Sequence, residues 1–374
     1  MKLLHTSDWH LGRVLHERSL LEDQRGMLTW LAALLEAEPH DALVVAGDVF
    51  DRGVPPEAAV ELLTEFLRDV RARAPALTVL FIAGNHDSGS RLAFGAPLLA
   101  GLGVHLRGGV SDLATPVRVA GAELWAVPFL WPGAFEAAPT QAAAFAEARR
   151  RILAAQSPGE AQVMVAHCFA AGGTVSDSER TLVGQSTRIE GELLGGFDYV
   201  ALGHLHRPQR VAEQVRYSGS PLRYSFSEQA DTKVVLSVEV LPGQPPRVTP
   251  IPVPQPRPMV TLRGELAALR TDASFAEHEQ AYVRVELTDE GPVSQPVPLL
   301  RRRFQHLLEL ALSASAATSG PGAPRARRSP GDRSSLEEDF VAFERDLRGE
   351  GAPSADVLAA FRGLVAERAA RVED

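Results

Sequence analysis

Five stretches of this chain are built alike. Each is an apolar, largely β-branched or small-residue run that breaks off into side chains able to bind a metal ion or a proton. They end in Asp8 and His10, in Asp48 and Asp51, in Asn85 and His86, in His167, and in His204 and His206. Residues 43–51, Leu-Val-Val-Ala-Gly-Asp-Val-Phe-Asp, set the pattern. A run that is apolar on both faces suits a central strand of a parallel sheet. Gly47 then permits close backbone approach, and Asp48 is delivered just past the strand end. A single Gly-Asp after a strand is more often a turn than a site. Five such ends in one chain point to one sheet edge, because open α/β sheets collect their ligands at the carboxyl ends of strands.

The segments between these runs agree. Residues 2–7 read as the first strand. A helical pattern follows, with Leu21, Leu28, Leu31 and Leu35 on one face. A strand at 42–46, a helix from Pro56 to about Arg73 and a strand at 77–82 continue the alternation. Alternating strands and helices imply parallel pairing with right-handed crossovers. Shorter strands are expected from Gly103, including 122–128. An Ala-rich helix at about 141–155 and strands at 162–166 and 199–202 come next. Residues 217–220 and 233–241 read as antiparallel strands completing the second sheet.

Beyond residue 241 the texture is different. A proline-rich connector leads to a small α+β unit at 256–304, with strands near Val260 and at 282–287. Residues 305–335 read as a helix end and a disordered linker rich in Pro, Gly, Ser and Arg. Two amphipathic helices close the chain. One carries Leu336, Phe340, Phe343 and Leu347 behind a Ser335/Glu338 capping box, and the other, after Ser354, carries Val357, Phe361, Leu364 and Val365.

A net charge of −9 argues against a broadly basic nucleic-acid binder. About half of the deficit lies in residues 336–374, where ten acidic and five basic residues give −5, so DNA binding by the body of the chain stays open. One cysteine, Cys168, excludes an internal disulfide and a cysteine-based zinc cluster. No apolar run approaches the ~20 residues that cross a bilayer, and the N-terminus lacks a signal-peptide core, so a cytoplasmic chain is expected.

Carboxylate, imidazole and amide ligands together suit manganese, iron or zinc. In Asp8-Trp9-His10 and His204-Leu205-His206 the i,i+2 spacing turns both ligands to one side of extended chain. There are too many ligands for one ion, and two ions sharing Asp48 account for them. Such a pair can hydrolyse a phosphate ester by in-line displacement. His5 reads as core, Cys168 as a small buried hydrophobe, and His16, His40, His105, His278 and His306 as surface residues.

The motifs Asp-x-His, Gly-Asp-Val-Phe-Asp-Arg-Gly, Gly-Asn-His-Asp, a strand ending in His, and Gly-His-Leu-His resemble those of the calcineurin-like metallophosphoesterases. Longer strings, at residues 5–12, 172–180 and 217–226, are similar to the SbcD-type nuclease subunits within that family. The resemblance implies an α/β fold: a two-sheet β-sandwich over residues 1–255, flanked by helices, with 256–304 as a capping domain. It assigns Asp8, His10, Asp48 and His206 to one metal ion and Asp48, Asn85, His167 and His204 to the other, with manganese as the metal. His86 would orient the phosphate and assist the leaving oxygen, held by Asp51. The substrate implied is DNA, at duplex ends and hairpins. The partners implied are a second copy, met through helices near 56–73 and 88–100, and an SbcC-type ATPase with a coiled coil, bound by 336–374. The capping unit reads as short, since only residues 288–297 separate its 282–287 strand from the next apolar stretch, where relatives carry a helix. A small-molecule phosphodiesterase on the same metal site, or a metal-poor scaffold, are the competing readings.

Overall fold

Strands without a polar face must be covered on both sides, and this chain meets that need by stacking two sheets between outer helices. The computed structural model describes residues 1–179, 188–291, 293–312, 340–341 and 354–370. It comprises two units, Met1–Ala316 and Ala317–Asp374. In the first, β1 (Lys2–Thr6) leads through a short ribbon, β2 (Val14–Leu15) and β3 (Arg18–Ser19), to α1 (Leu21–Ala37) and β4 (Ala42–Val45). Then come α2 (Glu57–Arg73), β5 (Thr78–Ile82), the short helices α3 (Gly89–Leu92) and α4 (Ala96–Ala100), and β6 (Val104–Arg107). The second sheet takes β7 (Val117–Val119), β8 (Ala122–Val127), β9 (Ala161–His167), β10 (Tyr199–Gly203), β11 (Gln209–Arg210) and β12 (Val215–Tyr217), with α5 (Gln141–Ala155) between β8 and β9. The chain then returns to the first sheet with β13 (Val234–Glu239) and β14 (Arg247–Pro252).

The strand orders are β14-β13-β1-β4-β5-β6 and β11-β12-β10-β9-β8-β7. Between the sheets lies a layer of small and branched side chains, including Val44, Leu80 and Ile82 from the first and Leu124, Val163 and Val165 from the second. The outer face of the first sheet is covered by α1 and α2 through Met27, Leu31, Leu62 and Phe66, which pack around Trp9 and Phe81. α5 covers the second sheet with Phe145, Ala148 and Ile152. The expected helix-flanked sandwich is therefore present. Pro250 and Pro252 sit on β14, an edge strand, where a missing N–H disrupts no interior ladder.

Two strands correct the sequence reading. β12 ends at Tyr217 and runs parallel to β10, and β13 leaves the second sheet to pair antiparallel with β1, Lys2 opposite Glu239. Hydrophobic periodicity reports that a strand exists, but not which sheet accepts it. Residues 218–220 are buried irregular chain, with Ser218 bonded to Ser7 beside the strand ends (3.0 Å).

A separate parallel sheet, β15 (Met259–Gly264), β16 (Tyr282–Leu287) and β17 (Leu307–Leu312), carries its own core of Leu262, Leu269, Val283, Val285, Leu300 and Phe304. The short helix Pro296–Arg301 stands between β16 and β17, at the end of the 288–297 stretch. Residues 307–312, expected to belong to a helix end and linker, are a strand. Their run of leucines is compatible with either element, and pairing with β16 decides it. In the second unit, helix Ala355–Ala370 begins after Ser354, whose hydroxyl accepts from the Val357 N–H (3.4 Å). Phe340 stacks on Phe361, with ring centroids 4.1 Å apart. Ser335, Leu336, Glu338, Phe343, Leu347 and the linker lie outside the described residues, as do the side chains of Leu364 and Val365. No helix among the described residues is long and apolar enough to cross a membrane.

Candidate metal centre

The loops that leave β1 and β4 are zipped together. Asp8 N–H donates to the Gly47 carbonyl (3.0 Å) and His10 N–H to the Asp48 carbonyl (2.9 Å). This geometry drives Asp8, His10 and Asp48 to left-handed φ values of 54°, 46° and 50°, and His204 at the end of β10 has φ 106°. Such conformations cost about 1–3 kcal/mol each and persist where the surroundings over-determine them. Two glycines let the strand ends meet. A Cβ on Gly47 would overlap His167 Nδ1, and one on Gly84 would overlap Asp48 Oδ1.

The side chains converge as expected. Asp8, His10 and His206 bring ligand atoms within 4.8 Å of one another, as do His10, Asp48 and His86, and Asp8, Asp48 and His167. Asp48 Oδ2 stands 3.7 Å from His10 Nε2 and 3.5 Å from His167 Nε2, between the two ligand sets. Asn85 Oδ1 is 3.0 Å from His167 Nε2 and 2.9 Å from His204 Nδ1, which ties both of these histidines to it. All these groups except Asn85 and His86 are buried.

Hydrogen bonding marks the place as one for cations. His167 Nδ1 donates to the Ala46 carbonyl (2.8 Å), so in a neutral ring Nε2 is an acceptor facing the Asn85 oxygen, itself an acceptor. His10 Nε2 and His206 Nε2 face each other at 3.1 Å. His206 Nδ1 is engaged by Ser178 Oγ (2.8 Å), while His204 Nε2 is buried with no partner. Acceptors pointed at acceptors need a proton or a metal ion between them, and the residues fit divalent ions.

The electrostatics agree. Burial alone would depress the His167 imidazole, but the adjacent Asp48 carboxylate overrides it and holds the pKa at about 9. Burial would raise Asp48, yet neighbouring His167 keeps that carboxyl well below its ordinary range. Burial pushes Asp8 up to about 6 against the pull of His167 and His206, and pushes His10 and His204 down to about 3. A proton on His167 thus balances Asp48 where an ion would otherwise do so.

Comparison with known proteins decides the family. The calcineurin-like phosphoesterase family model matches residues 1–208, and a model described as the type 5 capsule protein repressor C-terminal domain matches residues 255–341. The SbcD subunit of the SbcCD nuclease of Staphylococcus saprophyticus is 30% identical over 320 residues, covering 83% of this chain and 84% of that protein. Its counterpart of the same name from Staphylococcus epidermidis is 28% identical over 320 residues, covering 83% and 85%. The chain belongs to the SbcD branch of the calcineurin-like phosphoesterases. It is, accordingly, a metal-dependent phosphoesterase.

In this SbcD-type phosphoesterase Asp51 departs from the expected arrangement. His86 Nδ1 is bonded to the main-chain carbonyl of Asp51 (3.0 Å), and the Asp51 carboxylate turns instead to Arg13 (3.2 Å) and His10 Nδ1 (3.4 Å). Other supports escaped sequence reading. Asp87 accepts the N–H groups of Val49, Phe50 and Gly84, locking the β4 and β5 loops together. Gln24 reaches from α1 to the carbonyls of Trp9 and His10. Glu179 accepts the N–H groups of Ser176 and His206. Nothing in the spelling of these residues separates them from ordinary loop or helix polar groups. His5 is core as expected, bonded to Tyr199 Oη (2.9 Å) and the Leu202 carbonyl (3.1 Å). Cys168 is buried, its thiol pushed up to about 12. His40, expected at the surface, is buried against Ser237 (2.9 Å).

Proposed function

We propose that this chain is the DNA-cutting component of an SbcCD-type complex: a manganese-dependent double-strand exonuclease and single-strand or hairpin endonuclease, working in the cytoplasm in repair and recombination. The observation that carries the reading is the opposition of acceptor atoms on either side of Asp48, together with the naming of relatives that cover 83% of the chain.

One ion is assigned to Asp8, His10, Asp48 and His206, the other to Asp48, Asn85, His167 and His204. When bound, the two ions activate water and neutralise charge on a phosphodiester. Asp48 holds the two ligand sets at a fixed spacing. Its Oδ1 also accepts the His86 N–H (2.9 Å), so the same carboxylate fixes the backbone of the residue beside the reacting group. His86 is half-buried, with its ring perpendicular to His10 at 4.7 Å. Because Nδ1 donates to the Asp51 carbonyl, Nε2 is the atom offered to the phosphate and the departing oxygen.

The domain assignment that goes with this is a nuclease domain at 1–255, a capping domain from 256 and a partner-binding segment at 336–374. Val54, Phe94, Leu98 and Leu102 are 68%, 86%, 82% and 63% exposed, and we assign this apolar patch beside α2, α3 and α4 to a homodimer. The stacking of Phe340 on Phe361 supports a paired C-terminal helical element, whose partner is an ATPase with a coiled coil.

Cleavage of an end-labelled hairpin and of a chromogenic phosphodiester, each with manganese, with and without the ATPase partner and ATP, tests the reading. Hairpin cleavage is the expected result. Activity confined to the small ester would assign the same centre to small-molecule substrates.

A further inference from the structure

The two histidines at opposite ends of the centre are gripped differently. His167 Nδ1 is fixed by a main-chain carbonyl, Ala46, at the end of a central strand (2.8 Å). His206 Nδ1 is instead met by a side chain, Ser178 Oγ, on the loop of residues 172–179 (2.8 Å). Ser178 Oγ donates in turn to Glu228 Oε1 (2.8 Å), which also accepts from Ser176 Oγ (3.1 Å). The other oxygen of Glu228 is paired with Lys233 Nζ (2.6 Å), and that ammonium donates as well to the His206 carbonyl (2.8 Å) and to Ser220 Oγ (3.1 Å). Glu228 and Lys233 are 0% and 1% exposed.

These bonds close a ring that starts and ends on His206: its carbonyl, Lys233, Glu228, Ser178, and its own Nδ1. We propose that Ser178 is the positioning residue of this ring, and that the 172–179 loop thereby sets the strength of the Asp8/His10/His206 metal position independently of the other. With Ser178 donating to Glu228, its oxygen accepts the Nδ1 proton of His206. Nε2 is then left bare and aimed at the space it shares with His10 Nε2, 3.1 Å away. An alanine at 178 removes the nearest acceptor, leaves only Glu228 Oε1 at 3.6 Å, and so loosens the ring orientation. Partners of this kind are worth about 10–100-fold in metal affinity. His167 has no such dependence, because its anchor is backbone. The inference rests on the reading of Asp8, His10 and His206 as ligands.

Manganese titration of the full chain, read by the electron paramagnetic resonance of free Mn²⁺ and by calorimetry, tests it on wild type, Ser178→Ala and Ser178→Thr. Wild type should bind two ions. Ser178→Ala should weaken one of them about 10–100-fold and leave the other unchanged, and Ser178→Thr, which keeps the hydroxyl, should restore it. The metal-free melting temperature of Ser178→Ala should match wild type. Unchanged binding, equal weakening of both ions, or a metal-free melting temperature that falls along with affinity would overturn the inference. A wild-type chain that binds no manganese would overturn instead the reading of the centre on which it stands.

Discussion

The imidazole of His86 is anchored by the backbone of Asp51, Nδ1 to carbonyl oxygen at 3.0 Å, while the carboxylate of the same residue faces His10 and Arg13. Asp51 therefore serves two groups with two different parts of itself. Asp51→Ala should leave His86 in place and weaken the metal position that includes His10. His86→Ala should keep both ions and DNA affinity and lose about 10²–10⁴-fold in cleavage rate. Parallel metal titration and single-turnover kinetics separate the two variants. An Asp51→Ala enzyme with full metal content and the kinetics of His86→Ala would show that the carboxylate, not the carbonyl, does the anchoring.

Asp48 ranks first among the proposed ligands. Its Oδ2 lies within 3.7 Å of one imidazole from each set and its Oδ1 holds the His86 N–H. Asp48→Ala should abolish binding of both ions, whereas His10→Ala and His167→Ala should each chiefly remove one. Metal content of the purified variants, measured by mass spectrometry, checks the order. Equal losses in all three would remove the bridging role.

Metal binding should be strongly pH-dependent. His167 must shed its proton to act as a ligand, and its pKa near 9 means that an ion displaces that proton throughout the neutral range. Apparent manganese affinity should rise with pH up to about 9, and more steeply below about 6, where Asp8 is protonated as well. The metal-free protein carries the opposite linkage from His167. A raised folded-state pKa contributes stability that is full below the unfolded value of 6.5 and is lost as pH climbs toward 9. Thermal melts with and without manganese across pH 6–9 should diverge accordingly, and parallel curves would contradict the His167–Asp48 coupling.

The exposed patch makes a separate claim. Phe94→Asp with Leu98→Glu places charge at side chains that are 86% and 82% exposed, so the monomer fold should be untouched. Sedimentation velocity should show the wild-type chain at twice its 40.2 kDa mass and the variant at its monomer mass. A wild-type monomer would remove the dimer assignment.

The convergence of these side chains was legible because each follows an apolar strand, a local pattern that needs no knowledge of the partners. The helix-flanked sandwich was legible for the same reason, from runs such as residues 42–45 that must be buried twice. The placement of β12 and β13 was not, since sheet membership is a long-range choice among similar strands. Nor was the anchor of His86, because a main-chain carbonyl has no signature in side-chain identity. Glu228 and Lys233 stayed hidden in a polar stretch, Ser-Glu-Gln-Ala-Asp-Thr-Lys, that reads as solvated loop until the fold closes over it.

The pairing of β1 with β13 also has a meaning in time. The strand that delivers Asp8 and His10 lies between β4 and a neighbour encoded more than two hundred residues later. Translation at about 5–20 residues per second separates the emergence of the first ligands from that of His206 and β13 by about 10–40 s. During that interval the nascent chain holds an incomplete set of the converging side chains and a first strand that β4 can pair on one edge only. Hydrolytic capacity thus arrives only when most of the first unit has left the ribosome. A message cut short before codon 206 yields a fragment that lacks one of the side chains gathered at the centre.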